Sequence, residues 1–218
     1  MLSPRLQGIM PFITGVLADI GTDHGYLAIE AVKAGLCTRA VACDIRPGPL
    51  DVARANIAAA GLEHAIDARL GDGLAPLLPG EADTIVVAGM GGMMMKKIIF
   101  SEIVKAMEAR LVLQPQHDAE MLRRSLHSKG FEIFEEKFVM DDGRFYVILV
   151  ASFKGDVAAW NDREYFLGKH LEAAGIPGWR CYLRQERNKI AAYIGSIKVE
   201  NEKNLAERRL GWISEVLG

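Results

Sequence analysis

Residues 16–27 read Val-Leu-Ala-Asp-Ile-Gly-Thr-Asp-His-Gly-Tyr-Leu, and this stretch decides the fold. It begins as a short apolar run, which predicts a buried strand, and it continues as a helical pattern after a turn that holds Gly21 and Gly25. Glycine at the end of a strand lets a ligand approach the main chain, and the free N–H groups of the next helix point toward that ligand. The stretch therefore predicts a nucleotide-type binding turn, with a ligand-free strand-to-helix turn as the alternative.

The charges in this turn indicate which class of ligand it binds. The dinucleotide fingerprint Gly-x-Gly-x-x-Gly is absent, because Asp23 occupies the position of its middle glycine. The carboxylates of Asp19 and Asp23 would repel a pyrophosphate and attract a positive centre. S-adenosylmethionine carries a sulfonium and an ammonium group and no phosphate, so we expect it as the cofactor.

Acidic residues also follow the next two predicted strands. Asp44 ends the apolar run 39–44, about one strand–helix–strand unit after Asp19, where it is placed to accept hydrogen bonds from both hydroxyls of a ribose. Asp72 follows the predicted strand Ile66–Leu70, where its carboxylate could accept from the exocyclic amine of an adenine. A helix cap or an exposed loop acid is the alternative for Asp44. Three acids after three successive strands are more specific than any one of them alone.

The fourth predicted strand is the most continuous apolar run, 82–88, which is typical of a central strand buried on both faces. It is followed by Gly89-Met90-Gly91-Gly92, at a position that usually faces the substrate in this architecture. Many amino-group methylases carry Asn/Asp-Pro-Pro-Tyr/Phe there, and this chain does not. A tight turn into the next helix is the plain interpretation of the glycines.

The last strands of the sheet are predicted from a hairpin signal. Arg110–Pro115 reads as the fifth strand, and Phe131–Met140 and Arg144–Phe153 read as two strands joined at Asp141-Asp142-Gly143. Five parallel strands closed by an antiparallel pair predict an α/β fold, the Rossmann-like seven-stranded sheet of class I S-adenosylmethionine-dependent methyltransferases. The expected strand order is 3-2-1-4-5-7-6.

The composition changes near Gly155, where charges and helix formers increase. We therefore expect a methyltransferase domain over residues 1–154 and a helical, coiled-coil-like domain over 155–218. A helix is predicted over 164–173, an interruption over 175–178, and after Arg180 either one long helix or a helical hairpin folding back over 195–202. The basic residues of this region form either a solvated face or an RNA-binding face; they are Arg180, Arg184, Arg187, Lys189, Lys198, Lys203, Arg208 and Arg209.

Composition limits the remaining classes of function. The formal net charge is −2, so the chain has no global nucleic-acid signature, and any RNA binding must use local patches. The three cysteines show no metal spacing, and no apolar run has the length of a signal peptide or a membrane span. We expect a cytoplasmic protein that needs no membrane and no metal. His117 and His127 are predicted to lie at the surface.

A family resemblance covers nearly the whole chain. The motifs that carry it are Leu2–Leu6, Ala18–Leu27, Gly71–Leu74, Ala88–Gly92 and Leu113–Pro115. In these motifs the sequence resembles the bacterial tRNA (adenine-22-N1)-methyltransferase family. The resemblance implies a Rossmann-like methyltransferase domain, S-adenosylmethionine as the methyl donor and tRNA as the partner. Two positions depart from the family pattern as we expect it, since Asp44 stands in place of Glu and Gln116 in place of Asn.

This interpretation assigns roles to individual residues. Adenine N1 has its own lone pair, so catalysis needs positioning and electrostatics rather than a protein nucleophile. Asp23 is the candidate that stabilises the cationic product, and His24 and Tyr26 line either the base pocket or only the cofactor loop. Arg5 is either a surface charge or an anion-binding residue. The candidate catalytic residues are Asp23, His24, Gly89, Met90 and Gly91, and the candidate cofactor-binding residues are Asp19, Gly21, Asp23, His24, Asp44, Ile45, Asp72, Gly73 and Ala88.

Two other functions stay open on the sequence alone. The first is a methyltransferase that acts on another RNA, a small molecule or a protein; for a small molecule or a protein the helical appendage and the basic patches would not be needed. The second is a non-catalytic RNA-binding protein with a methyltransferase-like fold, against which the intact set of three acids argues.

Overall fold

The structure is a computed structural model that describes residues 2–174 and 177–218. It divides into two compact units, Met1–Ala158 and Ala159–Gly218. The first unit therefore extends past the boundary predicted at Lys154.

The first unit is built on one seven-stranded sheet with the order β3-β2-β1-β4-β5-β7-β6, which confirms the predicted topology. The five strands that come first in the chain are parallel, and β7 runs antiparallel to both β5 and β6. The strands are β1 Leu17–Ile20, β2 Ala40–Asp44, β3 Ile66–Leu70, β4 Thr84–Met90, β5 Arg110–Pro115, β6 Phe131–Asp141 and β7 Arg144–Phe153.

Six helices accompany this sheet among the described residues of the first unit. They are α1 Pro4–Gln7, α2 Tyr26–Lys33, α3 Pro47–Ala59, α4 Gly92–Ser101, α5 Ile103–Met107 and α6 Ala119–His127, with a 3-10 turn at Met10–Phe12. Ser3 caps α1 by accepting from Leu6 N, and Pro4 is the first helical residue, as the sequence predicts.

Every residue of β1 and β2 is buried, as are the first four residues of β4, so the sheet is covered on both faces at these strands. At the other edge, Arg123 of α6 and Glu136 of β6 form a buried ion pair with 2.7 Å between Nε and Oε1. The prediction that His127 lies at the surface is wrong: α6 packs against both β6 and α4, and His127 is buried. His117 is exposed, as predicted.

The second unit is helical, with α7 Asp162–Leu167, α8 Lys169–Ala174, α9 Pro177–Tyr193, a 3-10 turn Ile194–Ser196 and α10 Glu200–Leu217. The single helix predicted over 164–173 is two helices, because Gly168 adopts a φ of 88° between them. Of the interruption predicted over 175–178, residues 175 and 176 lie outside the described residues. The hairpin alternative is confirmed: α9 packs on α10, and Arg180 donates to the carbonyls of Val216 and Leu217.

Membrane-spanning candidates were sought among the helices of residues 2–174 and 177–218. No helix in those ranges is both long enough and apolar enough to cross a bilayer.

Candidate active site

A cavity of about 1060 Å³ lies at the carboxyl ends of β1, β2, β3 and β4. Parallel strands bring the residues that follow them to the same edge of a sheet, which is where open α/β sheets bind ligands. All but one of the site residues predicted from the sequence line this cavity. They are Asp19, Gly21, Asp23, His24, Asp44, Ile45, Asp72, Gly73, Ala88, Gly89 and Met90.

Asp19 lies in β1 and is buried, with Thr22 Oγ1 donating to its Oδ2 at 2.6 Å. Burial raises the pKa of the Asp19 carboxyl to about 6; the Thr22 hydrogen bond lowers this pKa, and the charge of Asp44 raises it. Asp19 is therefore an acid whose ionised form lacks a cationic partner among the described residues. A positive group bound beside it would stabilise that ionised form.

Asp44 ends β2 and organises the turn next to it. Its carboxylate is buried and accepts from the backbone N–H of Asp23 at 3.3 Å and of Arg46 at 2.9 Å. The Arg46 side chain adds a charge, with Nε 3.6 Å from Asp44 Oδ1. A carboxylate has about four lone-pair positions, so Asp44 keeps acceptor capacity for ligand hydroxyls after these bonds. Asp72 is exposed beyond β3, on the same cavity.

The turn between β1 and α2 contains three left-handed residues, Gly21, Asp23 and Gly25. Gly21 has a φ of 73°, and a Cβ there would collide with Met90 Cε. Asp23 also has a positive φ, 52°, which is uncommon outside glycine but tolerated by Asp and Asn. The turn is held from α3, because Asn56 Nδ2 donates to the His24 carbonyl at 2.9 Å.

The exposed side of this turn carries an acid, a histidine and an aromatic ring. Asp23 Oδ2 lies 3.4 Å from His24 Nε2, and Asp23 Oδ1 lies 3.9 Å from Arg46 Nη2. The ring centroids of His24 and Tyr26 are 5.5 Å apart, and Tyr26 is about half exposed at 53%. His24 Nδ1 is buried and has no hydrogen-bond partner within the described part of the chain. The rings of His24 and Tyr26 can stack on a nucleobase, with the carboxylate of Asp23 beside them.

The end of β4 differs from the prediction, because Gly89 and Met90 belong to the strand rather than to a turn. The pairing of β4 with β5 shifts between Ala88 and Met90, and Gly89 takes a φ of 76° at this irregularity. Gly89 N donates to the side-chain oxygen of Gln114 at 3.1 Å. Gln114 thereby replaces the strand-to-strand bond that the irregularity removes.

Gln114 lies behind the cavity and supports two of its lining residues, Arg5 and Gly89, a role that the sequence interpretation missed. It is fully buried in β5, and its Oε1 also accepts from Arg5 Nη1 at 2.8 Å, while its Nε2 donates to the Pro115 carbonyl at 3.2 Å. The sequence signal for this role is a polar residue that directly follows the apolar run Leu111–Leu113 in β5. Arg5 and Gln116 both line the cavity.

Gly91 is the predicted site residue that does not line the cavity. A Cβ at Gly91 would overlap the imidazole of His117, whose Nδ1 lies 2.7 Å from Asp118 Oδ2. The structure therefore places Gly91 in the packing between β4 and the start of α6. No cluster of three or more His, Cys, Asp or Glu residues suited to a metal ion occurs among residues 2–174 and 177–218.

Comparison with known proteins gives consistent results. A family model described as a methyltransferase domain matches residues 2–149. The tRNA (adenine(22)-N(1))-methyltransferase of Bacillus subtilis is 36% identical over 192 residues, which cover 87% of this chain and 77% of that protein. A crystal structure of a Streptococcus pneumoniae protein, described as a candidate tRNA (m1A22) methyltransferase, matches with a TM-score of 0.93 at 31% identity, covering 100% of both chains. Its complex with S-adenosyl-L-methionine matches with a TM-score of 0.91 at 30% identity, again over 100% of both chains.

Proposed function

Because this chain belongs to the tRNA (adenine(22)-N(1))-methyltransferase family, we propose that it transfers the methyl group of S-adenosylmethionine to N1 of adenine 22 in tRNA. The family assignment rests on a relative of 36% identity that covers 87% of the chain, and on a match over the full length to solved structures. The chain is an S-adenosylmethionine-dependent methyltransferase, and we propose roles in the reaction for individual residues of its cavity.

The residues of the cavity fit the donor. S-adenosylmethionine supplies an electrophilic methyl group on a sulfonium centre when it is bound. Asp19 would hold the ammonium group, Asp44 the ribose hydroxyls and Asp72 the adenine amine. The fit is supported by the spare acceptor capacity of the buried Asp44 and by Gly21 and Gly73, which line the cavity with a positive φ.

The residues on the substrate side fit a ring nitrogen better than an exocyclic amine. An exocyclic amine loses a proton during methylation and benefits from carbonyl acceptors such as those of an Asn-Pro-Pro-Tyr turn. Adenine N1 has an in-plane lone pair and needs mainly space, which Gly89 supplies at the end of β4. Asp23 lines the same cavity with an exposed carboxylate, which would stabilise the positive charge that develops on the base.

The tRNA contributes binding energy that this chemistry requires. N1 of adenine is normally paired, so the base must be turned out of its stack at a cost of roughly a few kcal/mol. We propose that the exposed His24–Tyr26 pair offsets part of that cost by stacking, and that the C-terminal helical unit, residues 159–218, adds phosphate contacts. We also propose that the protein acts in the cytoplasm, where its tRNA substrate is found.

The observation that carries the proposal is the set of three acids, Asp19, Asp44 and Asp72, on one cavity with the glycine turn. The test incubates the protein with labelled S-adenosylmethionine and total tRNA, digests the tRNA and identifies the labelled nucleoside by chromatography and mass spectrometry. We expect N1-methyladenosine from wild-type tRNA and none from a transcript in which adenine 22 is replaced by guanine. N6-methyladenosine, a methylated guanosine or label only in protein would refute the proposal.

A further inference from the structure

Arg5 is half-buried in α1, lines the cavity and places its guanidinium next to Gly89. Its guanidinium donates from Nη1 to Gln114 Oε1 at 2.8 Å, and its Cζ lies 5.8 Å from the ring centroid of Tyr146. Both partners are neutral. The side chain is therefore held in a defined place by groups that do not cancel its charge.

The charge of Arg5 has no carboxylate partner within ion-pair distance in the described ranges. Asp141 is the nearby acid, but its Oδ2 accepts from the backbone N–H of Arg5 at 3.3 Å rather than from the guanidinium. Arg46 differs, because its guanidinium lies 3.6 Å from Asp44 and 3.9 Å from Asp23. A guanidinium carries five N–H donors, and one hydrogen bond is accounted for by Gln114, so Arg5 retains donors for a ligand.

The chemistry of the reaction decides what that ligand is. The donor is a cation, and adenine becomes one on methylation at N1, so an uncancelled guanidinium beside the base would oppose transfer. An anion on Arg5 removes this conflict. Five carboxylates line the cavity and would repel an RNA backbone unless a cation received it; they are Asp19, Asp23, Glu30, Asp44 and Asp72. Of the three cations that line the same cavity, Arg46 is paired with Asp44 and Asp23, and Lys97 is exposed, whereas Arg5 is half-buried and fixed by neutral groups.

We propose that Arg5 binds a backbone phosphodiester of the target RNA, next to the adenosine that is methylated. This inference rests on the proposed function, and it assigns to the first helix of the chain a role in seating the substrate. Planar guanidinium groups match phosphate geometry, and the hold of Gln114 on Nη1 leaves the opposite edge of the guanidinium for the phosphate.

The first test compares Arg5→Gln and Arg5→Lys with the wild-type protein and with Arg39→Gln. Arg39 is an exposed arginine at the start of β2, at the opposite edge of the sheet from the cavity. We expect Arg5→Gln to weaken binding of tRNA about tenfold at moderate salt. The slope of log affinity against log salt concentration should become less steep by about one, the amount that corresponds to one lost phosphate contact. Arg5→Lys should retain most of the affinity, and Arg39→Gln all of it.

The second test removes the charge from the RNA instead. A stem-loop carrying a neutral methylphosphonate at one of the phosphates flanking the target adenosine should bind the wild-type protein about tenfold less well at one position. Arg5→Gln should bind the neutral and the ordinary RNA equally at that position. Equal losses in both proteins would overturn the proposal, as would an unchanged salt slope in Arg5→Gln.

Donor affinity and thermal stability separate this role from a purely structural one. If Arg5 only supported Gln114 and Gly89, Arg5→Gln would lower donor affinity or melting temperature and would lose activity equally on both RNAs, which would also overturn the proposal. Failure of the wild-type protein to methylate adenine 22 would refute the proposed function as well. If the wild-type protein methylates adenine 22 and Arg5→Gln binds tRNA with unchanged affinity, only the phosphate contact is refuted.

Discussion

The methyl group of Met90 lies directly over Gly21, so that a Cβ at residue 21 would collide with Met90 Cε. This contact joins the first strand's glycine turn to the end of the fourth strand, that is, the donor side of the cavity to the substrate side. Gly21 also has a φ of 73°, so a side chain there is disfavoured on two independent grounds.

We expect Gly21→Ala to lower donor affinity by about tenfold or more, because the added methyl group must displace Met90 into the cavity. The matched control is Gly35→Ala, since Gly35 has a φ of 69° and open space around its Cβ position. Both changes should destabilise the fold by roughly 1–2 kcal/mol through backbone strain. Calorimetric titration with the donor should find the loss of affinity in Gly21→Ala and not in Gly35→Ala; equal affinities would contradict the role of this contact.

The raised pKa of Asp19 predicts a pH dependence of donor binding. The carboxyl has a pKa of about 6 in the folded protein, so its ionisation is disfavoured there, and its contribution to stability is present at low pH and lost as the pH rises through 6. A cation bound at Asp19 favours the ionised form. Donor affinity should therefore increase by up to about tenfold per pH unit below 6 and level off above it. Calorimetry from pH 5 to 7.5 checks this.

Asp19→Asn supplies the control for that titration, because it keeps the shape of the side chain and removes the proton equilibrium. We expect weaker binding with a flat pH profile from this variant. A wild-type affinity that does not change between pH 5 and 7 would show that Asp19 does not pair with the cationic part of the donor.

Asp23→Asn should reduce turnover by about tenfold or more, with donor affinity changed by less than about threefold. Asn tolerates the left-handed conformation that Asp23 adopts, so the turn should survive the change. The lost charge is then the main difference, and single-turnover methylation measured beside donor titration separates the two effects. Full turnover in this variant would remove Asp23 from the mechanism and leave the identity of the product untouched.

The exposed cations of α9 should contribute to tRNA affinity. Arg184 and Arg187 are exposed and have no ion pair in the described part of the chain, whereas Lys189 pairs with Glu186 at 2.6 Å. We expect Arg184→Glu with Arg187→Glu to weaken tRNA binding about tenfold in a salt-dependent way and to leave donor affinity unchanged. The control is Lys33→Glu with Arg39→Glu, two exposed cations of the first unit. Unchanged tRNA binding would make these helices a packing or oligomerisation element.

The sheet was predictable because its signals are local. The turn at residues 141–143 between two apolar strands predicted the antiparallel pair that closes the sheet, and the acids after three strands predicted the cavity edge. The hairpin of α9 and α10 was predicted from the glycine and the charged residues over 195–202, which separate two helical patterns of apolar residues.

What could not be predicted depends on contacts between residues far apart in the chain. The bond from Arg5 to Gln114 joins residues separated by 109 positions, and nothing in the local pattern of either residue indicates the other. The irregular pairing that keeps Gly89 in β4 needs that same glutamine. The burial of His127 depends on the packing of α6 against β6 and α4. The helix predicted over 164–173 ends at Gly168, which adopts a positive φ although the helix formers on both sides favour one continuous helix.

The strand order β3-β2-β1 brings Asp72, just after β3, next to Asp44 and Asp19 on the two neighbouring strands. Neighbouring strands lie about 4.8 Å apart, so backbone hydrogen bonding sets a span of about 10 Å across the three. If the three acids hold the ammonium, the ribose and the adenine amine as proposed, all three of these groups remain after the methyl group has left. We therefore expect the demethylated product to compete with the donor for this cavity, with only the lost charge of the sulfonium separating their affinities.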